Sequence, residues 1–291
     1  KHLMKNILIS GGTGFLGHHL IEHLVASEKK IIALVRQKSV ATNFDNSIKL
    51  FDQDDENNLL SLIDEIDCVL HLATSYGRNR ETKKEVYETN LDYSLKVLDI
   101  AKKIKAKHFI NFDTSLPKHV NHYSSSKAAF RNILKENATD SLKIVNLRIE
   151  TIYGPNKKGN DFTNILMKAC LNNKDILELS KCEQVRDFIF YEDLILCVGL
   201  ILDNLNKFPN FVNFQVGSGK GVPLKEFATL FKKLSKSTTK LVFGKIPYRK
   251  NEIMNSVSEI NNLKYIGWSP KTSLEDGMKK IILNLTNGRS S

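Results

Sequence analysis

Through its first half the chain alternates short apolar runs with stretches whose apolar residues recur every three or four positions. The runs at Asn6–Ser10, Ile31–Val35, Ile48–Phe51, Cys68–Ala73, His108–Phe112 and Ile144–Leu147 have strand length. Their near-continuous apolar character is that of strands covered on both faces, as in a parallel sheet. Between them, Leu16, Leu20 and Leu24 in Phe15–Ala26, and Leu91, Leu95 and Leu98 in Leu91–Ile104, fall on helical stripes. Strand–helix alternation of this kind predicts an α/β fold, a doubly wound parallel sheet with helices on both faces. Beyond Tyr153 the pattern loosens, and Gly, Pro and Asn mark loops at Gly154–Asn160, Phe208–Asn210 and Gly217–Gly221. The expected organisation is a sheet domain over residues 1–152, with return segments from the C-terminal half, and a smaller mixed α/β lobe over 153–291.

The first strand runs into "SGGTGFLG", in which Gly11, Gly14 and Gly17 are spaced three apart just where a helix begins. A strand, glycines and an amphipathic helix form a Rossmann-type dinucleotide-binding layout. The first glycine permits a tight turn, the second lets backbone approach a pyrophosphate, and the third lets helix and strand pack closely. The helix start then offers N–H groups to the phosphates. The spacing is GxxGxxG rather than GxGxxG. The end of the second strand selects the cofactor: an acid there binds the ribose 2′-hydroxyl of NAD, an arginine the 2′-phosphate of NADP. The sequence reads "IIALVRQKS", with Arg36 19 residues after Gly17, Lys38 beyond it and no acid nearby. NADP(H) is favoured, and NAD(H) stays open.

In "HYSSSKAAF", Tyr123 and Lys127 are four apart on a predicted helix and so share a face. An ammonium beside a phenol favours the phenolate and lowers its pKa, which would let Tyr123 exchange a proton with a substrate oxygen. Upstream, "FINFDTSL" supplies Thr114 or Ser115 as a hydroxyl donor to that oxygen.

Composition narrows the classes. The 291 residues are 41% hydrophobic and 26% charged, as in ordinary globular proteins. No apolar stretch approaches the ~20 residues of a membrane span, and the N-terminal "KHLMKN" lacks the apolar core of a signal peptide. The net charge is +11, but the lysines are dispersed, with no basic block and no interleaved aromatics. Nucleic acid is therefore not the expected partner, and a doubly charged small substrate such as a nucleotide diphosphate uses a basic balance just as well. Cys68, Cys170, Cys182 and Cys197 are scattered, as free thiols in a reducing cytoplasm would be. No His, Cys or Asp cluster has metal-ligand spacing.

Several stretches together resemble the extended short-chain dehydrogenase/reductases, the NAD-dependent epimerase/dehydratase type acting on nucleotide sugars. They are "SGGTGFLG", "DCVLHLAT", "ETNLDYSLKVLDIA", "LRIETIYGP", "QVRDFIFYEDL", "FQVGSGKGVPLKEFA" and "NLKYIGWSPKTSLEDGM", nearly end to end along the chain. The resemblance implies that Gly11, Thr13, Gly14, Phe15, Leu16 and Gly17 form the cofactor loop. It implies that Leu72, Ala73 and Thr74 flank the nicotinamide ribose and that Asn90 lies beside the cofactor. Tyr123 becomes the proton donor or acceptor; Lys127 lowers its pKa and holds the ribose. Register on the flanking apolar residues places Thr114, rather than Ser115, at the Ser/Thr position, with Ser115 and Thr151 toward the substrate. Arg186 in "QVRDF" and Arg249 in "YRKNE" match arginines that hold the nucleotide diphosphate, for which the bidentate guanidinium is suited. A homodimer is usual for the family.

Within the family, "CEQVRDFIFYEDL", "VGSGKGVPLKEF" and "NEIMNSV" are most similar to 4-ketoreductases of the CDP-abequose and CDP-paratose type, which serve bacterial surface polysaccharides. The residues after Thr114 are Ser115 and Leu116, not the Asp-Glu pair of the family's dehydratases or the cysteine of its fucose-synthase type. Hydride chemistry at C4 remains, as a reductase or as a 4-epimerase that keeps its cofactor. Asp113 departs from the family's usual small hydroxyl residue, and the segment from Thr114 to Tyr123 is short. His119 and His122 read as loop residues in solvent; His18, His19 and His23 read as structural.

Overall fold

The computed structural model describes residues 6–35, 48–55, 58 and 61–287. Strands β1 (Asn6–Ser10), β2 (Lys30–Val35), β3 (Lys49–Asp52), β4 (Cys68–His71), β5 (His108–Thr114), β6 (Lys143–Ile149) and β10 (Phe211–Val216) form one sheet in the order β10-β6-β5-β4-β1-β2-β3. The pairs β1–β2, β2–β3, β1–β4 and β4–β5 are parallel. Helices α1 (Phe15–Ala26), α2 (Lys83–Tyr87), α3 (Tyr93–Lys103) and α4 (His122–Asn137) connect its strands, as the alternating pattern predicts. From β1 the chain builds outward to β3 and then returns to add β4 on the other side of β1. That reversal is a topological switch point, where the carboxyl ends of two strands diverge and leave a crevice for ligand.

The chain divides into two compact units. The first comprises Lys1–Arg148 and Ile195–Phe214. Its core joins Leu8, Val69, Val97, Phe109, Phe130 and Ile144, drawn from four strands and two helices. The second comprises Ile149–Leu194 and Gln215–Ser291. It contains a sheet of β11 (Gly221–Pro223), β9 (Val185–Phe190) and β13 (Asn255–Ser256), with β7 (Thr151–Tyr153) also on β9. Its core is aromatic, with Phe188 stacked on Phe227 at 4.2 Å between centroids and Tyr153 edge-on to both.

Two elements differ from the expected bounds in ways that concern the site. The strand at His108 runs on past Phe112 to Thr114, because the polar Asp113 is satisfied inside the fold by Asn146 and Arg131. The helix expected from Leu91 is preceded by a π-helical turn, Glu88–Asp92, continuous with α2 and α3. Single π turns recur at functional sites because the extra residue re-aims one side chain. The four cysteines are buried and free. Among the described residues no helix is long and apolar enough to cross a membrane, and no His, Cys, Asp or Glu group could hold a metal.

Candidate active site

The glycine loop lies at the switch point. Gly11 has φ +78°, and a Cβ on it would meet the Ala73 backbone nitrogen at 2.4 Å. The Leu72 N–H donates to the Ser10 carbonyl at 2.9 Å, so the ends of β1 and β4 touch. A Cβ on Gly17 would meet the Gly11 carbonyl oxygen at 2.4 Å and the Gly12 Cα at 2.7 Å. Gly14 is different: a Cβ there meets only the Gly11 oxygen, at 3.4 Å. Gly11 and Gly17 thus allow the turn and the helix contact, and Gly14 leaves the approach to the helix start clear. No side chain caps α1 and no acid occupies its first turn. This cradle fits an anionic dinucleotide pyrophosphate. Thr13 and Gly14 are exposed, Phe15 and Leu16 half-buried, and Leu72, Ala73 and Thr74 continue half-buried from β4. Arg36 and Lys38, on which the NADP expectation rests, lie outside the described residues.

Asn90 sits in the π-helical turn, fully buried. Its side chain clamps Ser75, accepting from the Ser75 N–H and donating to the Ser75 carbonyl, both at 2.8 Å. Its amide also donates to Ser126 Oγ on α4 at 3.1 Å. The turn therefore ties the segment after β4 to the helix that bears Tyr123 and Lys127.

On α4, Asn121 caps the first turn through the Ser124 N–H at 2.8 Å. Tyr123 and Lys127 are buried on its inner face. The Thr114 side chain lies near the Tyr123 phenol and favours its ionised form. Thr114 Oγ1 also accepts the Leu116 N–H at 3.2 Å. Ser115 is half-buried, and its carbonyl accepts from Arg148 Nη2 at 3.0 Å. Lys127 Nζ donates to the Phe112 carbonyl at 2.8 Å. Burial pushes the Lys127 ammonium down to about 8, and Asp113 opposes that shift.

The phenol does not titrate low, as the sequence-based reading expected. Burial pushes Tyr123 well above its ordinary value; Tyr76 and Asp113 add to the shift, while Thr114 and Arg78 oppose it. Desolvation outweighs the nearby positive charge. A phenol held neutral in this way is a proton donor. At the end of β4, His71 is held between Ser10 Oγ at 2.6 Å and Ser94 Oγ at 2.7 Å, and burial, then Lys127, push it well down, so it is neutral.

In the second unit, Arg186 on β9 donates to Glu252 at 2.8 Å and to the Val185 carbonyl at 2.9 Å. Burial lowers its pKa; Glu252 and Glu150 oppose that, and the Arg249 charge adds to it. The guanidinium stays charged, ion-paired with Glu252 and within electrostatic reach of Arg249. Arg249 is exposed, and Thr151 is half-buried on β7. His119 and His122 are exposed.

Two site residues escaped sequence reasoning. The Tyr76 ring lies 5.2 Å from that of Tyr123, and the Arg78 guanidinium lies 5.5 Å from the Tyr76 ring centroid. Both are in an irregular loop with no periodic signal. Asp113 stood out only as a departure from the family pattern, although a carboxylate in an apolar strand is itself a signal.

The model of the NAD dependent epimerase/dehydratase family matches residues 7–217. The chain is 32% identical to the CDP-abequose synthase of Salmonella typhimurium, over 97% of this chain and 99% of that one. It is 31% identical to the CDP-abequose synthase of Salmonella muenchen, over 96% and 97%. Among solved structures, it is similar to the UDP-glucose 4-epimerase of Thermotoga maritima with UDP-glucose, with a TM-score of 0.85, 23% identity and coverage of 98% and 99%. The UDP-glucose 4-epimerase of Thermus thermophilus in complex with NAD gives a TM-score of 0.81 at 20% identity, covering 97% and 99%.

Proposed function

The chain belongs to the NAD dependent epimerase/dehydratase family, and we propose that it is a nucleotide-sugar 4-ketoreductase. Its substrate would be a 4-keto-6-deoxy or dideoxy sugar linked to CDP, as in the products for which its relatives are named, or to GDP. The observation that carries this reading is the Tyr123 phenol, buried on α4 near Thr114 and kept neutral by that burial. When bound, the reduced nicotinamide cofactor supplies a hydride to the C4 carbonyl carbon. Tyr123 gives its proton to the oxygen that becomes the alcohol, and solvent later returns a proton to the phenolate. Thr114 donates to the same oxygen as negative charge develops. Lys127 holds the ribose of the cofactor, Asn90 lies beside the cofactor through the Ser75 segment that it clamps, and Arg186 and Arg249 take the substrate diphosphate. NADP(H) is the proposed cofactor, on the strength of Arg36 in the sequence.

The test is a panel of CDP-, GDP-, dTDP- and UDP-linked 4-keto sugars with NADPH, followed at 340 nm. Loss of absorbance with a CDP- or GDP-linked substrate is the expected result, and no change with the whole panel would overturn it. Interconversion of 4-epimers without added reductant, by protein that carries NAD from purification, would make the chain an epimerase instead.

An arginine variant tests diphosphate binding separately. Arg186→Lys keeps a cation opposite Glu252 but loses the bidentate fork. A charge-assisted hydrogen bond contributes about 1.5–3 kcal/mol. The expected result is a KM raised by about tenfold or more, with kcat changed much less. A KM equal to the wild-type value would remove Arg186 from the substrate site.

A further inference from the structure

Three neighbouring strands each place an asparagine between apolar residues: Asn111 in β5, Asn146 in β6 and Asn213 in β10. Their side chains form a ladder. Asn111 Nδ2 donates to Asn146 Oδ1 at 2.7 Å, and Asn146 Nδ2 donates to Asn213 Oδ1 at 2.7 Å. Asn146 Nδ2 also donates to Asp113 Oδ2 at 2.9 Å. Asn111 and Asn146 are completely buried, and the ladder reaches solvent at Asn213 on the edge strand. A polar row across three strands at one side of a parallel sheet breaks the pattern on which such sheets are built, and rules of that kind are broken at functional positions.

The row ends on Asp113. Its side chain is 0% exposed. Arg131, one turn after Lys127 on α4, lies 3.3 Å from Asp113 Oδ2 through its Nε. The other oxygen, Oδ1, accepts the Thr114 N–H at 2.7 Å. Lys127 Nζ donates to the carbonyl of Phe112, the residue immediately before Asp113. One carboxylate therefore holds the backbone that presents Thr114 and sits next to the anchor point of Lys127.

We infer that Asp113 is a positioning residue of the proposed reductase site: seated on the asparagine ladder and Arg131, its carboxylate fixes the Thr114 backbone and supplies the permanent negative charge beside Lys127. The inference rests on the reading of Thr114, Tyr123 and Lys127 as the reacting constellation. Burying a carboxylate costs several kcal/mol unless it is paired and hydrogen-bonded, and here both oxygens are engaged. An ordinary small hydroxyl residue could not carry this charge. The charged and titratable groups around Lys127 are Asp113 on β5, His71 on β4, Tyr123 one turn earlier on α4, and Arg131 as the partner of Asp113. His71 is neutral and Tyr123 is a neutral donor, so Asp113 is the fixed anion of the set. It keeps Lys127 charged against the burial that would neutralise it.

The test reads Lys127 directly, without turnover. In protein carrying lysine labelled with carbon-13 at Cε, the resonance lost in Lys127→Met identifies Lys127, which in the wild type is expected to titrate at about 8. Asp113→Asn keeps an acceptor for Thr114 but removes the charge, so the midpoint is expected to fall by about half a pH unit or more. Arg131→Met keeps the carboxylate, still hydrogen-bonded by Thr114 and Asn146, and removes its counter-charge, so the midpoint is expected to rise. A residue that only supports the fold would not move the two variants in opposite directions. With an active substrate, the alkaline limb of kcat follows the same shifts, because Lys127 acts as its ammonium. An unchanged midpoint in whichever variant folds overturns the inference. Failure of both variants to fold also overturns it, assigning the pair to structure alone. If the midpoints move as expected while Tyr123→Phe leaves turnover intact, the reductase reading fails and the Asp113–Lys127 coupling stands.

Discussion

Tyr123→Phe is expected to reduce turnover by about 10³-fold, within the range of general acid catalysis by one positioned group, while the protein stays folded and binds its cofactor. The substitution keeps the ring that packs against Tyr76 at 5.2 Å. It removes only the hydroxyl, and with it at most one polar contact near Thr114. A single neutral hydrogen bond contributes about 1 kcal/mol to stability, too little to unfold a buried helix face. The proton that the new alcohol requires then has to come from water, which a buried site admits poorly. Thr114 remains as a donor but carries no proton it can release at neutral pH. The measurement is initial rate at 340 nm with a 4-keto sugar nucleotide, beside cofactor affinity from nicotinamide fluorescence. Turnover within tenfold of wild type would remove Tyr123 from the chemistry.

Gly17→Ala is expected to damage fold and cofactor binding together. The added methyl would stand 2.4 Å from the Gly11 carbonyl oxygen and within 3 Å of Gly12 backbone atoms. None of these is the flexible end of a side chain, so relief requires α1 to move away from β1. Overpacking of this sort costs about 1–3 kcal/mol, more where backbone must shift, and each kcal/mol lowers Tm by roughly 2–4 °C for a domain of this size. The displaced helix start no longer aims its N–H groups at a pyrophosphate, so affinity for the nicotinamide dinucleotide should fall at least about tenfold. Gly14→Ala is the contrast. Its methyl meets only one atom, at 3.4 Å, from within the fold. It should therefore leave Tm nearly unchanged and weaken cofactor binding, because it occupies the approach that the second glycine keeps open. Equal Tm losses in the two variants would contradict this division of roles.

The strand at Asn6–Ser10 and the helix at Phe15–Ala26 have the same bounds in the structure as in the apolar pattern. Both are local features: a strand covered on both faces and a helix with one apolar stripe declare themselves within a dozen residues. The α/β class and the glycine loop were legible for the same reason, as was the four-residue spacing of Tyr123 and Lys127. The end of β5 was not. Apolar character stops at Phe112, yet the strand continues through Asp113 and Thr114 because partners distant in sequence satisfy them.

The sequence by itself determined which groups could react: a phenol, an ammonium and a hydroxyl downstream of a phosphate cradle. Only the tertiary structure decided their protonation. Tyr123 is pushed up by burial rather than down by a neighbouring cation, and Lys127 is pushed down to about 8 against the pull of Asp113. Desolvation and charge are sums over everything that surrounds a group in space. For these residues the surroundings include Tyr76, Arg78, Thr114 and Asp113, and, through Asp113, Asn146 and Arg131. They come from separate elements of the first unit, and no periodicity along the chain records that they meet.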